Sequence, residues 1–372
     1  MTGRARLNAV LEGRPTDRVP TQMVFYDGYL ARCAGREQWE FDYGKAEDQY
    51  QMQLAAVRRH PDNDGLWTWT GMNRNPVADV RVVRVDGVPF ALFGDGTKKA
   101  LADDPSDGLW NRTPAEQTAV WERNRVRNTK EIGTKMGRIV SADELLEREC
   151  YSVLSRLVTT AADAFFWVNH SSLFSGAAGH LGGASEAWMA TITEPELVEA
   201  VLEYHMHQQV EYIVAAARAG AQGVWNCFMY EGANILSPTT WRTLVKPRVA
   251  RVVAKSRELG LKHVAWFLDD CRPLVRDLMD IGIHGIATEQ PRDDYQCEPG
   301  DLRCAGGDEL CIFSWFWEED LLKANLETLH TTLHRHYREA GNGKPFVVAT
   351  PGLTQEYDPS TIDALIAAAK SL

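Results

Sequence analysis

The chain has 372 residues, of which 44% are hydrophobic and 24% are charged, and its formal net charge is -11. This length can bury a large core and suits one catalytic domain covering residues 1–372. The acidic balance argues against a nucleic-acid partner, because phosphate binding depends on clustered Lys and Arg side chains. No stretch approaches the roughly 20 apolar residues of a membrane span, and the N-terminal residues lack a signal-peptide core, so a cytoplasmic location is expected.

Eight short apolar segments bounded by turn signals predict β-strands. In chain order they cover residues 19–25, 65–70, 165–169, 224–228, 263–268, 285–288, 310–313 and 345–349. Helical patterns separate the later strands, over residues 195–219, 238–259, 272–281, 319–340 and 359–372. This alternation predicts an α/β fold of parallel strands joined by right-handed crossovers, and eight such strands suit a closed (β/α)8 barrel of the TIM type.

One region departs from the alternation. Residues 79–93 predict a β-hairpin, because the Asp86-Gly87 dipeptide tolerates the positive φ angles of a tight turn. The chain after this hairpin is polar and is predicted to be rich in loops to about residue 140. We interpret residues 72–140 as an insertion beside the mouth of the barrel.

Seven cysteines, an odd number, fit reduced thiols better than a disulfide framework. Cys297, Cys304 and Cys311 recur every seven residues. Structural zinc sites instead use gaps of about two to four residues. We therefore interpret these three cysteines as buried or incidental thiols.

Residues that follow the strands of such a barrel form its active site. Four of them are candidates for catalysis by proton transfer: Asp27, His170, Glu231 and Asp270. Three of them also have a structural alternative. Asp270 or its neighbour Asp269 could cap the following helix, His170 could make a structural hydrogen bond, and Glu231 could be a solvated loop carboxylate.

Aromatic residues are the second signal, since twelve tryptophans is a high number for this length. Packing inside the barrel is the ordinary explanation for Trp in a strand. At least two of Trp69, Trp315 and Trp317 are nevertheless expected to line a cavity, where indoles hold a flat ring or a methylated cation with about 1–2 kcal/mol per contact. The candidate substrate-binding side chains are Tyr26, Trp69, Asn169, Tyr230, Trp315 and Trp317.

Several motifs carry a resemblance to a known family. They are Ala219-Gly-Ala-x-Gly-Val-Trp225, Leu236-Ser-Pro238, Lys246-Pro-Arg248, the Asp269-Asp270 pair, Gly282-Ile-His-Gly-Ile286, the opening segment 6–20 and Ala349-Thr-Pro-Gly-Leu353. With these motifs the chain resembles the uroporphyrinogen decarboxylase superfamily over nearly its whole length. That superfamily includes the decarboxylase of haem synthesis and corrinoid-linked methyltransferases and demethylases, and the resemblance implies a TIM-type barrel enzyme.

The chain also departs from particular relatives. The haem-pathway decarboxylase carries a motif resembling Arg-Gln-Ala-Gly-Arg, which pairs with the carboxylates of its substrate, whereas this chain has the segment 23–32 with a single arginine. A polyanionic tetrapyrrole would be left with unpaired charge there. The thiol-activating methyltransferases bind zinc through a His-x-Cys pair and a further Cys, and the aligned positions look like Leu268, Asp270 and Leu353.

The resemblance therefore implies a methyltransferase that acts as a demethylase, moving a methyl group from a small methoxylated aromatic or a methylated amine to a corrinoid. The corrinoid is bound or carried by a partner protein, and the chain as a monomer or a homodimer is compatible with this role. Any metal, with zinc as one option, would be held by Asp269, Asp270 and Glu289. The alternative is a cofactor-independent decarboxylase of a small aromatic or heterocyclic acid, or of a uroporphyrinogen-like substrate. A silent binding protein on the same barrel is the third interpretation.

Overall fold

We analysed a computed structural model that describes residues 1–69, 80–94, 96–101, 114–288 and 297–372. The side chains of Thr68, Trp69, Pro114, Glu116 and Thr288 lie outside this description. In chain order the strands are β1 Thr21–Phe25, β2 Gly65–Trp69, β3 Arg81–Val85, β4 Val88–Leu92, β5 Lys98–Ala100, β6 Phe165–Ser171, β7 Gly223–Phe228, β8 Lys262–Phe267, β9 Gly285–Thr288, β10 Cys311–Ser314 and β11 Phe346–Leu353.

Eight of these strands form one parallel sheet in the order β1-β11-β10-β9-β8-β7-β6-β2. The two end strands lie side by side, because the Asp64 N–H donates to the Thr21 carbonyl oxygen at 3.2 Å and the Met23 N–H donates to Asn63 Oδ1 at 3.1 Å. The sheet is thus a nearly closed barrel. This confirms the predicted (β/α)8 architecture, and every predicted barrel strand overlaps an observed one.

Helices follow the strands and form the outer layer. Their bounds are α1 Gly3–Leu11, α2 Asp27–Cys33, α3 Gln38–Asp42, α4 Ala46–Arg59, α5 Pro114–Asn124, α6 Ile132–Met136, α7 Ala142–Glu147, α8 Ser152–Thr160, α9 Leu173–Leu181, α10 Ala184–Thr193, α11 Pro195–Arg218, α12 Pro238–Thr240, α13 Lys246–Glu258, α14 Val275–Asp280, α15 Pro299–Gly306, α16 Glu318–Leu322, α17 Leu326–Glu339 and α18 Pro359–Ala369. Within the described ranges, no helix combines the length and apolarity that a membrane crossing requires.

Two predicted helices are interrupted. The helix predicted over 238–259 contains a π-helical segment, Trp241–Val245, between α12 and α13. Pro247 follows that segment and has no backbone N–H, so a regular helical hydrogen bond is lost there and the turn widens. The helix predicted over 319–340 breaks between α16 and α17, where Ala324 has a φ of 52° and the Asn325 side chain caps α17 by accepting from the Thr328 N–H.

The hairpin prediction is confirmed. Strands β3 and β4 pair in antiparallel fashion, and both turn residues, Asp86 and Gly87, have positive φ angles of 52° and 83°. Strand β5 pairs with β4 and completes a small three-stranded sheet. The prediction of a loop-rich stretch to residue 140 is wrong where α5 and α6 form. Residues 70–79, 95 and 102–113 of the predicted insertion lie outside the described residues.

Side chains of the barrel strands divide into two apolar layers, because successive residues of a strand point to opposite faces. The outer layer packs the sheet against the helices. The inner layer fills the lumen, where Trp167 lies edge-on to Trp225 at 5.6 Å and Trp225 lies edge-on to Phe313 at 5.1 Å. Five tryptophans belong to this inner layer: Trp67, Trp167, Trp225, Trp266 and Trp315. At this level the lumen is a packed core and not a pore.

An ionic network closes the base of the barrel around Asp64, which is 2% exposed. Its carboxylate accepts hydrogen bonds from the guanidinium groups of Arg6 and Arg18, the latter at 2.9 and 3.0 Å. It also accepts the backbone N–H of Thr21 at 2.9 Å. One carboxylate therefore holds α1 and the starts of β1 and β2 together.

We expect Asp64→Asn to lower the free energy of unfolding by about 3 kcal/mol, because it removes the buried carboxylate charge that the guanidinium groups of Arg6 and Arg18 share. Urea denaturation would measure this loss. Asp143→Asn is the matched control, since it removes an exposed ion pair with Arg218 and should leave the midpoint unchanged. Equal midpoints for the Asp64 variant and the wild type would contradict the structural role of the network.

Candidate active site

Adjacent residues of β6 face opposite sides of the sheet. Asn169 pairs in register with Trp225 and points into the lumen, and its Oδ1 atom is buried without a hydrogen-bond partner among the described residues. His170 points outward, where its ring lies parallel to that of Tyr212 on α11 at 5.9 Å and 2°. Burial lowers the pKa of His170 to about 4. The prediction that His170 reaches the mouth is therefore wrong, because strand alternation turns it into the helix layer.

Glu231 is fully buried at the N-terminal end of α9. Its carboxylate accepts hydrogen bonds from the Ser172 hydroxyl, from the Phe174 N–H at 3.1 Å and from Trp241 Nε1 at 3.3 Å. Burial raises the pKa of Glu231 to about 7. The side chain ties the loop after β7 to two helical segments. These donors hold the carboxylate against α9 and the π-helical segment, and its convergence on the mouth stays a prediction.

The acidic pair after β8 is divided between two environments. Asp270 accepts the Arg272 N–H at 3.0 Å and forms a two-pronged ion pair with the Arg272 guanidinium at 2.9 and 3.0 Å. The structural alternative of a helix cap thus applies to Asp270. Asp269 is 5% exposed and lies against Gly232, where an added Cβ would come within 2.2 Å of the Asp269 Cβ.

Asp27 and Asp269 are two of the predicted carboxylates. Both are buried, and each lies two residues beyond the end of a barrel strand, β1 and β8 respectively. Asp27 is fully buried as the first residue of α2, immediately beyond β1 and Tyr26. Of the predicted metal ligands, Asp270 is engaged by Arg272 and Glu289 lies outside the described residues. Across the described ranges, no group of three or more His, Cys, Asp or Glu side chains is arranged to hold a metal ion.

The predicted aromatic side chains also point in different directions. Tyr26 packs on the inner layer with its ring 5.5 Å from that of Trp67, and Gly352 is needed beside it because a Cβ there would meet the Tyr26 ring at 2.2 Å. Tyr230 turns outward, where the centroid of its ring lies 6.2 Å from that of Trp188 on α10. Trp317 is 41% exposed at the start of α16. Trp69 is outside the described side chains, so the expectation that two of the three indoles line a cavity stays a prediction.

The upper lumen contains a stacked indole pair. Trp266, near the end of β8, and Trp315, just beyond β10, have ring centroids 5.0 Å apart and an interplanar angle of 17°. Each is 6% exposed, whereas Trp67, Trp167 and Trp225 are at most 1% exposed, so this pair lies nearest the mouth. Trp266 was absent from the candidate side chains. The signal that could have found it is its position two residues above Val264 on the inward face of β8.

Comparisons with known proteins show the family and the fold of this chain. A family profile described as Uroporphyrinogen decarboxylase (URO-D) matches residues 168–372, which is more than half of the chain. The chain belongs to the uroporphyrinogen decarboxylase family. The matched part of this family member runs from within β6 to the C-terminal helix and includes the Trp266–Trp315 pair, Glu231 and both aspartates after β8.

Solved structures support the family fold. A methyltransferase from Methanosarcina mazei superposes with a TM-score of 0.66, covering 100% of this chain and 99% of that chain at 15% sequence identity. This likeness shows the shared fold only. A structure of the pneumococcal virulence factor StrH gives a TM-score of 0.42 at 11% identity over 97% of this chain and 84% of that chain, which is too distant to support an argument. No curated protein matches the sequence.

The buried Glu231 makes stability depend on pH. Its pKa of about 7 lies above the ordinary value of 4.5, so between these values the folded chain holds a proton that the unfolded chain has released. The free energy of unfolding should therefore fall as the pH rises from about 4.5 to 7, by at most about 1.4 kcal/mol per pH unit from this group. Glu231→Gln cannot ionise and should lack this part of the slope in urea midpoints measured from pH 5 to 8. Identical slopes in the two proteins would contradict it.

Proposed function

We propose that this family member is a methyltransferase that acts as a demethylase on a small methoxylated aromatic or a methylated amine, with a corrinoid as the methyl acceptor. The observation that carries the proposal is the aromatic, uncharged upper lumen. Among the inward-facing strand positions that the structure describes, the charged residue is Lys262 at the base of β8, and it is paired with Glu12 at 2.6 Å. A polycarboxylate tetrapyrrole would find no partners for its charges on these strands.

Two buried carboxylates support an acid-assisted reaction. Asp27 and Asp269 follow β1 and β8 within two residues, where the active sites of such barrels lie. Breaking a methyl–oxygen bond leaves negative charge on the departing oxygen, and a nearby carboxylic acid can supply the proton that neutralises it. We propose Asp27 and Asp269 for that role, in place of His170, Glu231 and Asp270.

The corrinoid is proposed as a second substrate, delivered by a partner protein. In the balanced reaction the methyl–oxygen bond breaks, the oxygen gains a proton, and the methyl group bonds to the Co(I) centre, which supplies the electron pair. Zinc does not fit the described side chains as a further component, because Asp270 is held by Arg272 and the other described acids form no ligand cluster. We derive no step through a metal held by this chain.

A direct test is incubation of the purified protein with cob(I)alamin and a panel of methoxyarenes and methylated amines. We expect methylcobalamin to form with at least one of them, as followed by its absorption spectrum. Release of carbon dioxide from an aromatic acid without methyl transfer would contradict the proposal and favour a decarboxylase.

Asp27→Asn and Asp269→Asn keep side-chain size but cannot donate a proton as a carboxylic acid does, so each should lower kcat by about 10²-fold or more. Asp277→Asn is the matched control, because Asp277 pairs with Arg242 and Lys246 on the outer surface and should retain full turnover. Wild-type turnover in both of the first two variants would contradict their proposed role.

A further inference from the structure

The indole N–H groups of the upper lumen lack acceptors. The Nε1 atoms of Trp225, Trp266 and Trp315 are buried and have no hydrogen-bond partner among the described residues. Buried Trp N–H groups ordinarily find an acceptor, because an unpaired donor in a low-dielectric interior loses its hydrogen bond to water. Asn169, on the same inward face, contributes an Oδ1 acceptor that is equally without a partner.

The orientation of the outermost pair indicates what kind of group it would bind. Trp266 and Trp315 stack on each other, so each ring presents one face to the other ring. A methylated ammonium is attracted to the face of an indole, where the π-electron density is negative. The N–H lies on the ring edge, which is positive, and it attracts an acceptor such as an ether or phenolic oxygen.

We propose that Trp266 and Trp315 donate their indole N–H groups to an oxygen of the substrate, and that this site selects an oxygen-bearing aromatic over a methylated ammonium. Asn169 completes the recognition by accepting a hydrogen bond from a ligand hydroxyl. The ligand class is therefore a small methoxyarene, best a methoxyphenol, which offers both an acceptor and a donor. This inference rests on the proposed function for the reaction, but binding requires no methyl transfer.

The probe is 2-methoxyphenol, added without any corrinoid to protein labelled with 15N at the indole nitrogens. The Nε1–H resonances, assigned with single Trp→Phe variants, would be followed by NMR. We expect those of Trp266 and Trp315 to shift on addition of 2-methoxyphenol. Two control ligands should fail to shift them: 2-ethylphenol, in which a methylene replaces the ether oxygen, and tetramethylammonium. Trp39 of α3 is an internal control, since its Nε1 is also buried without a partner in the described part of the chain but lies outside the barrel.

Substitution separates a role in binding from a role in folding. Replacing Trp266 or Trp315 by 3-benzothienylalanine keeps the bicyclic ring and removes the N–H. Affinity for 2-methoxyphenol should fall about 5- to 10-fold, as for one lost hydrogen bond, while the unfolding midpoint of the free protein should not fall. A lower midpoint with unchanged affinity would overturn the inference, as would equal shifts with 2-ethylphenol or a response to tetramethylammonium alone.

These results are distinguishable from failure of the proposed function. If 2-methoxyphenol shifts the two resonances but no compound yields methylcobalamin, the binding inference stands and the demethylase proposal fails. If methylcobalamin forms only from methylated amines and the resonances do not respond to 2-methoxyphenol, the methyltransferase proposal stands and the inference is overturned.

Discussion

Successive side chains of a strand point to opposite faces of the sheet, and in a closed barrel these faces become the lumen and the helix layer. The site depends on this constraint. It sends Trp225, Trp266 and Asn169 inward, where they share a confined space with other aromatic rings. It sends His170 to the opposite face, where its ring packs against Tyr212 of α11. Which residue can meet a substrate is thus decided by strand register before any chemistry is considered.

Much of the fold could be predicted from the sequence because it depends on local signals. Apolar runs ended by polar residues located all eight barrel strands, and one Asp-Gly pair located the hairpin. The differences between the predicted and the observed helices also have local causes. Pro247 lies inside a periodic apolar pattern. The break at Ala324 requires a positive φ, and the sequence has no glycine at that position to indicate it. Residues 114–124 formed a helix in a stretch whose polarity suggested loop.

The site was less predictable because direction and partners are long-range properties. Of the candidates chosen by position after a strand, Asp27 and Trp315 lie just beyond β1 and β10, and Asn169 lies within β6. Their roles in a substrate site stay predictions. Position alone could not show that Glu231 would accept the N–H of Phe174 at the start of α9, a residue far away in the chain. The cap by Asp270 is local by contrast, since Arg272 lies two residues further on, and the sequence offered it as an alternative. The contact of Glu231 depends on the packing of whole loops, and it gives a structural role to a side chain whose position in the sequence indicated catalysis.

The barrel is aromatic, an ionic network closes its base, and its upper lumen contains indole N–H groups and an amide oxygen that have no hydrogen-bond partner among the described residues. In a low-dielectric lumen such atoms interact strongly with any ligand that matches them, and an unmatched charged ligand is rejected. The aspartates after β1 and β8 lie at the edge of this region, where a proton is needed if a methyl–oxygen bond breaks. In the proposed function, recognition by the rings and proton transfer by Asp27 and Asp269 would therefore take place at neighbouring levels of one barrel.

We propose that the aromatic upper lumen, and no other surface, is the substrate site. A crystal structure of the protein soaked with 2-methoxyphenol tests it most directly. We expect electron density for the ligand above the Trp266–Trp315 pair, with its ether oxygen within hydrogen-bonding distance of the indole nitrogens and its hydroxyl within hydrogen-bonding distance of Asn169. Ligand density elsewhere, such as in the groove between Arg125 and Met189 beside α10, with both indoles untouched, would contradict it.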